Sequence, residues 1–175
     1  RCPISLESEE ELDHFKSLKP DLALVVAYGK ILPKKLLNLD KILFINLHAS
    51  LLPKWRGAAP IQRAIMNGDK KIGISIMKIQ EQLDTGPILC FKELDLDQNT
   101  THGEMEKELS LLGANLLVVI PNRSTILIFS ADKNSLNSYK KTFYQMFLDA
   151  IYPVSREVFL INSEGLSVIG DLKSP

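Results

Sequence analysis

Residues 22–48 have the sequence LALVVAYGKILPKKLLNLDKILFINLH, and this stretch decides the fold. It begins with a continuous apolar run over Leu22–Ala27, which is the pattern of a strand buried on both faces. A turn and a short helix over Lys34–Leu39 lead to a second strand over Ile42–Leu47. The alternation of strand, helix and strand predicts an α/β fold with an open, mostly parallel sheet and flanking helices.

Periodicity predicts the remaining elements on both sides of this stretch. Helix caps are expected at Ser8, which precedes Glu11 by three residues, and at Thr100 or Thr101. The last two predicted strands are expected to form a hairpin. Helices are predicted over 8–18, 59–67, 102–119 and 134–150, and strands over 73–79, 87–95, 125–129, 158–161 and 166–169.

Length and composition are those of a globular domain. The chain has 175 residues, of which 45% are hydrophobic, and this is enough for one sizeable core. No apolar run approaches the roughly 20 residues that a membrane helix needs. Two cysteines do not make a disulfide framework, and three histidines form no cluster of metal-ligand spacing. We therefore expect a reduced setting and no metal.

The charge is unevenly distributed, although the net charge is zero. Nine lysines and arginines lie between residues 30 and 71, against two acids in the same stretch. A local positive field of this kind attracts a phosphate backbone. A solvated face whose lysines keep the domain in solution gives the same pattern, so charge alone leaves both interpretations open.

The strand over Ile42–Leu47 ends by presenting an amide and an imidazole. Asn46 and His48 lie two positions apart, so in a strand their side chains point to the same face. A loop rich in Pro and Gly follows over Ala49–Pro60, and such loops at strand ends often carry active sites. On spacing alone, a structural histidine and a turn-forming asparagine are nevertheless the favoured interpretation.

The sequence surrounding Asn46 and His48 favours a catalytic interpretation of these two residues over the structural one. Residues 45–60, INLHASLLPKWRGAAP, resemble the folate-dependent formyltransferases, whose motif is Asn-x-His-x-Ser-Leu-Leu-Pro followed by a Gly. The continuation WRGAAPIQ over 55–62 resembles the branch of that family that formylates methionyl-tRNA. Residues 81–88, EQLDTGPI, resemble the Leu-Asp-Thr-Gly loop of the family. The resemblance extends from about residue 20 to about residue 117, over more than half of the chain.

The resemblance implies the Rossmann-like fold of the formyltransferases. It also implies an enzyme that transfers a formyl group to an amine, with three catalytic residues. Asn46 would donate its side-chain NH₂ to the developing oxyanion, and His48 would act as base or proton relay. Asp84 would orient the imidazole and stabilise its charged form, or accept the proton through a bridging water. Ser50 resembles a nucleophile but lacks an evident base, so we assign its hydroxyl a structural role.

The implied formyl donor is 10-formyltetrahydrofolate, and the implied acceptor is the methionyl amine of initiator tRNA. Trp55 and Arg56 are candidates for contacting the tRNA by stacking and charge, with loop packing and a structural salt bridge as an equally weighted alternative. We expect no membrane association and a bacterial cytosol or an organelle matrix as the setting. The substrate-binding positions are expected to be Val26, Ala27, Tyr28, Gly29, Ser50, Leu51, Leu52, Pro53, Gln82, Leu83, Thr85 and Gly86.

The family usually has an opening strand and a Gly-rich turn before the segment with which this chain begins. We therefore expect residues 1–120 to be the later part of the catalytic domain, N-terminally incomplete, and 121–175 to be an unassigned α+β tail unlike the usual C-terminal barrel. A complete scaffold is expected to be a monomer. An incomplete one would expose a sheet edge and misplace the catalytic groups, which predicts low activity at best.

Two alternatives to this function are kept. The first is a formyltransferase that acts on another amine, such as glycinamide ribonucleotide or an amino-sugar nucleotide. The segment Trp55–Pro60 argues against it. The second is a truncated, non-catalytic remnant of the family that binds folate weakly or not at all.

Overall fold

The computed structural model describes residues 6–117 and the backbone of three later strands, 125–129, 158–162 and 165–169. Helices and strands alternate along most of the described chain. In order they are α1 (Glu9–Ser17), β1 (Leu22–Val26), α2 (Lys34–Leu37), β2 (Leu43–His48), α3 (Pro60–Met66), β3 (Lys71–Lys78), β4 (Ile88–Asp95), α4 (His102–Leu117), β5 (Thr125–Phe129), β6 (Val158–Asn162) and β7 (Gly165–Ile169).

The seven described strands form one sheet in the order β4-β3-β2-β1-β5-β6-β7. Strand β1 pairs in parallel with β2 and β5, and β5 pairs in parallel with β6. The pairs β2–β3, β3–β4 and β6–β7 are antiparallel. The predicted α/β class with flanking helices is confirmed, with a sheet that is parallel in its middle and antiparallel toward both ends.

Element positions agree with the sequence predictions to within a few residues for each element that is described. The predicted C-terminal hairpin is confirmed by the antiparallel pairing of β6 with β7. The helix predicted over 134–150 lies outside the described residues, as do the last two positions of the one predicted over 102–119. The domain boundary at residue 120 stays a prediction, and β5, which follows it, pairs with β1 in the same sheet.

Two apolar layers sandwich the sheet. On one face, Leu24 of β1 and Ile45 of β2 belong to a buried cluster that includes residues of α3 and α4. On the other face, Phe44 of β2 packs in a second cluster with Leu36 of α2 and with Phe15 of α1, whose ring stacks on that of Phe44 at 5.9 Å. The continuous burial of β1 follows from this double cover, as the apolar run predicts.

Side-chain alternation then fixes where the polar residues of β2 lie. Asn46 and His48 share the Phe44 face, while Ile45 and Leu47 enter the opposite cluster. The parallel register pairs Val26 with Leu47, so β1 and β2 end at the same edge of the sheet. Ligands of such folds bind outside the carboxyl ends of the parallel strands, so the fold brings the two motif residues to the expected edge.

Helix caps form where the sequence predicts them. The Ser8 side chain accepts a hydrogen bond from the Glu11 amide at 3.3 Å. At α4, Thr101 and Glu104 form a reciprocal capping box, and the Thr101 amide and hydroxyl bonds lower the pKa of Glu104. Within the described ranges, no helix is long and apolar enough to cross a membrane.

Replacing Gly73 of β3 with alanine tests the close approach of β3 and β4. An added Cβ would lie 2.2 Å from the Lys92 carbonyl oxygen and 2.6 Å from Leu51 Cδ2. Because the nearer contact is backbone, the strand must shift, and we expect Gly73→Ala to lower the free energy of unfolding by about 1–3 kcal/mol. Urea denaturation measures the change. Lys71→Ala, at an exposed position of the same strand, is the control and should unfold at nearly the same urea concentration as wild type. An unchanged Gly73→Ala midpoint would contradict the packing.

Candidate active site

The amide and the imidazole predicted from the sequence lie side by side at the end of β2. Across the antiparallel pairing, Asn46 is opposite Met77 and His48 is opposite Ser75 of β3. Asn46 is half-buried, and His48 is only 7% exposed. Because His48 is this enclosed, the groups next to its two ring nitrogens determine which nitrogen carries the proton.

Asp84 joins these two residues from the loop between β3 and β4. Its Oδ1 accepts a hydrogen bond from Asn46 Nδ2 at 3.4 Å, and its Oδ2 lies 3.7 Å from His48 Nδ1. Oδ2 also accepts a bond from the Gly57 backbone amide at 2.8 Å. The structure therefore brings together the three residues that the sequence singles out, 38 positions apart along the chain at the widest.

The second ring nitrogen defines the tautomer of His48. Its Nε2 lies 2.9 Å from the Trp55 carbonyl oxygen, which can only accept a hydrogen bond. Nε2 therefore carries the proton, and in the neutral ring the lone pair resides on Nδ1, on the side of Asp84. A proton taken up at Nδ1 would face the carboxylate at ion-pair distance. Sequence reasoning missed this carbonyl, because a backbone partner leaves no residue signature.

The loop after β2 is held by a small network of buried hydroxyls. Ser50 is fully buried and donates to the Lys54 carbonyl at 2.6 Å, the structural role predicted for its hydroxyl. Ser75 of β3 donates to the Ser50 carbonyl at 2.8 Å and accepts from the Leu52 amide at 3.1 Å. Ser75 was not singled out by the sequence. Its position opposite His48 in the antiparallel register is the signal that would have identified it.

Left-handed backbone conformations concentrate around the same site. Trp55 (φ 57°), Ala59 (φ 55°) and Asp84 (φ 49°) adopt positive φ values that cost energy for residues with a Cβ. Gly57 shares the conformation at φ 81°, at no such cost. Strained residues of this kind persist where surrounding contacts determine them, and they cluster at functional sites.

The Trp55 side chain is fixed away from the site by Asp69. Its indole N–H donates to Asp69 Oδ2 at 2.7 Å, and the ring packs against the buried cluster of α3 and α4. Asn67 donates to the other oxygen of Asp69 at 2.8 Å, and Lys54 Nζ lies 3.6 Å from it. The indole and amide bonds hold the pKa of Asp69 below its usual value. Loop packing, one of the two alternatives for Trp55, is thus present, whereas the Arg56 side chain is exposed.

The remaining predicted binding positions lie on three segments of the chain. Leu83 is 59% exposed and approaches Gly57, whose added Cβ would lie 3.4 Å from Leu83 Cδ2. Thr85 donates to the Gln82 carbonyl at 3.1 Å, which stabilises the turn that carries Asp84. Val26 is the last residue of β1 and lies in the buried core. Ala27, Tyr28 and Gly29 follow it; the loop after β2 contains Ser50, Leu51, Leu52 and Pro53; and the β3–β4 loop contains Gln82, Leu83, Thr85 and Gly86.

The basic stretch between residues 30 and 71 is partly neutralised. Four of its lysines pair with acids: Lys34 with Glu81, Lys35 with Glu9, Lys54 with Asp69, and Lys71 with Glu93. These pairs involve exposed lysines, which keeps their energies small. In the described part of the chain, no group of three or more His, Cys, Asp or Glu side chains is arranged to hold a metal ion.

Comparisons with known proteins match this site region. The profile of the family described as formyl transferase matches residues 3–120. Methionyl-tRNA formyltransferase of Brucella melitensis biotype 2 is 52% identical over 116 residues, 66% of this chain and 38% of that protein. The enzyme of the same name from a Wolbachia strain of Drosophila simulans is 48% identical over 120 residues, 69% of this chain and 40% of that protein.

A solved structure agrees with the fold. Phosphoribosylglycinamide formyltransferase from Bacillus halodurans superimposes with a TM-score of 0.53 at 26% identity, covering 61% of this chain and 58% of that one. The chain spans about two fifths of the length of the curated relatives that it matches.

The bond between Trp55 and Asp69 predicts a pH dependence of stability. A carboxyl whose folded pKa is depressed contributes stability above its unfolded pKa, and that contribution is lost as the pH falls through the folded pKa. We expect Trp55→Phe, which removes the N–H donor, to be less stable than wild type at pH 7, and the difference to narrow on acidification below about pH 4. Urea denaturation at a series of pH values measures it. A difference that stays constant down to pH 2 would show that lost packing, not the bond to Asp69, causes the destabilisation.

Proposed function

The chain belongs to the formyl transferase family, and we propose that it carries the centre at which a formyl group passes from 10-formyltetrahydrofolate to the methionyl amine of initiator tRNA. One observation carries the proposal. The Asp84 carboxylate accepts from Asn46 and faces His48, so that a donor for an oxyanion and an acceptor for a proton lie next to each other. Acyl transfer to an amine needs both. The proposed setting is a bacterial cytosol or an organelle matrix.

Sequence similarity supports the methionyl acceptor. The two relatives at 52% and 48% identity are both methionyl-tRNA formyltransferases. The similarity covers about two fifths of their length, so the acceptor is inferred from a part of the enzyme. The family match over residues 3–120 contains Asn46, His48 and Asp84.

The donor is proposed to bind at the edge where β1 and β2 end. Parallel register brings the segment Ala27–Gly29 next to His48, and the Asp84 loop reaches the same edge. The segments at this edge offer apolar side chains, among them the exposed Leu83, beside backbone polar groups. A flat pterin ring suits such a surface. 10-Formyltetrahydrofolate would supply the formyl group, and residues 26–29, 50–53 and 82–86 would hold and orient it.

Asn46 is proposed to stabilise negative charge on the formyl oxygen as the amine adds. Its Nδ2 carries two protons, of which one is directed to Asp84 Oδ1. The other is available to the developing oxyanion. The bond to Asp84 also fixes the flip of the amide, because only the NH₂ end can donate to a carboxylate. Preorganised donors of this kind are typically worth about 3–4 kcal/mol in the transition state.

His48 is proposed to accept the amine proton at Nδ1. The Trp55 carbonyl keeps the other nitrogen protonated, which leaves the Nδ1 lone pair free in the neutral ring. Once Nδ1 is protonated, the positive ring lies 3.7 Å from the Asp84 carboxylate and is stabilised by it. Asp84 can also relay the proton through a bridging water. Neither route needs a covalent intermediate.

For tRNA binding, Arg56 is the stronger of the two proposed contacts. Its side chain is exposed beside the site, and a guanidinium can pair with phosphate or stack on a base. The indole of Trp55 is half-buried and bonded to Asp69, so any stacking would use the ring surface left exposed. Arg63 Nη1 donates to the Arg56 carbonyl at 3.4 Å, which adds a second positive charge nearby.

The second candidate function is formyl transfer to a different amine, such as that of glycinamide ribonucleotide. The structural likeness to phosphoribosylglycinamide formyltransferase at 26% identity supports it. The two functions share the donor and the centre and differ only in the acceptor. Competing acceptors in one transfer assay separate them.

Asn46→Asp tests the oxyanion donor with little change of shape. The substitution replaces the NH₂ group by a second carboxylate oxygen 3.4 Å from Asp84, so the donor is lost and two acidic groups face each other. We expect kcat for formyl transfer to methionyl-tRNA to fall about 100- to 1000-fold. Glu81→Gln, an exposed change in the same loop as Asp84, is the matched control and should retain full activity. An Asn46→Asp variant with wild-type kcat would rule out the proposed role of Asn46.

Folate binding separates a working centre from a non-catalytic remnant. Titration calorimetry of the purified chain with a non-reactive formyl-folate analogue should show saturable binding, and Asp84→Ala should weaken it because Asp84 orders the loop at residues 82–86. Glu81→Gln again serves as control. A folded wild-type chain without binding would favour the remnant hypothesis. Binding without transfer to methionyl-tRNA, but with transfer to glycinamide ribonucleotide, would favour the second candidate.

A further inference from the structure

The C-terminal end of α3 holds the backbone of Asp69 next to the site. Asp69 follows α3, where the Gly68 amide bonds to the Ile65 carbonyl and the Asp69 amide to the Ala64 carbonyl, both at 3.0–3.1 Å. Gly68 adopts φ 66°, so the helix ends in a Schellman motif that fixes the backbone of Asp69. The Asp69 side chain is 7% exposed and is directed to the loop after β2.

Trp55 links Asp69 to the catalytic centre through its indole side chain and its backbone carbonyl. Its indole N–H donates to Asp69 Oδ2 at 2.7 Å, while its carbonyl oxygen lies 2.9 Å from His48 Nε2. Between the two, the Trp55 backbone holds a left-handed conformation, which a residue with a Cβ adopts only when contacts stabilise it. The bond to Asp69 and the packing of the ring are the contacts that do so.

We propose that Asp69 is a positioning residue that acts on His48 through Trp55 and keeps the imidazole in the Nε2–H tautomer. This inference rests on the proposed function, in which Nδ1 accepts the amine proton. Without the bond to Asp69, the backbone of Trp55 relaxes from the left-handed region and its carbonyl leaves Nε2. The Asp84 carboxylate, 3.7 Å from Nδ1, then draws the ring proton to Nδ1, and the neutral ring loses its lone pair at the reacting nitrogen.

The tautomer of His48 gives a direct test. Long-range ¹H–¹⁵N correlation spectra of the ¹⁵N-histidine-labelled chain at pH 8 distinguish the two neutral tautomers, and His48→Asn assigns the signal among the three histidines. We expect Nε2–H in wild type and a shift toward Nδ1–H in both Asp69→Ala and Trp55→Phe. Asn67→Ala removes a different bond to Asp69 and should leave the Nε2–H form.

Steady-state kinetics provide the second measurement. Asp69→Ala and Trp55→Phe should each lower kcat by up to about 100-fold. KM for the formyl donor should change little, because these substitutions alter the base and not the binding surface. The double variant Asp69→Ala with Trp55→Phe should be no worse than the more severe single variant, since both remove one link.

Folded Asp69→Ala and Trp55→Phe chains that retain the Nε2–H tautomer of His48 would overturn the proposal. Additive losses of kcat in the double variant would also overturn it. A wild-type chain without transferase activity would count against the proposed function, and the tautomer spectra would still decide whether Asp69 positions His48.

Discussion

The carboxylate of Asp84 is the point at which three separate segments of the chain meet. It accepts hydrogen bonds from Asn46 of β2 and from the Gly57 amide of the following loop, and it faces His48. A charged acceptor is worth more to its donors than a neutral one, particularly where water is largely excluded. Removing this carboxylate would leave polar groups of a mostly buried site unpaired. The geometry of strand and loop therefore depends on one side chain.

Rigid backbone elements hold the groups that meet there. The β2 register and the bond from the buried Ser75 hydroxyl to the Ser50 carbonyl fix the start of the loop. The Schellman motif at the end of α3 holds Asp69, and the bond from the Trp55 indole to Asp69 fixes the middle of the loop. Between these anchors the loop can maintain left-handed residues, whose strain is offset by contacts at both ends. Preorganisation of the site is thus a consequence of how its neighbours pack.

The fold and the side-chain half of the site could be predicted from the sequence. The apolar run of β1 predicts a doubly covered strand, and the two-residue spacing of Asn46 and His48 predicts their common face. The backbone half could not be predicted in this way. The Trp55 carbonyl and the Gly57 amide act through a left-handed loop, and nothing in a tryptophan indicates positive φ. The role of Asp69 could not be predicted either, because its partner is the indole nitrogen of Trp55, 14 positions earlier in the chain.

The division between backbone and side chain in this loop has a functional consequence. Residue 55 contributes its carbonyl to His48 and its side chain to packing, and Arg56 exposes its guanidinium to solvent. The side chain at position 56 can therefore change without moving the carbonyl that holds His48. The constraint falls instead on the contacts that keep the loop backbone in its left-handed form. In this chain these contacts are the bond between Trp55 and Asp69 and the packing of the indole ring.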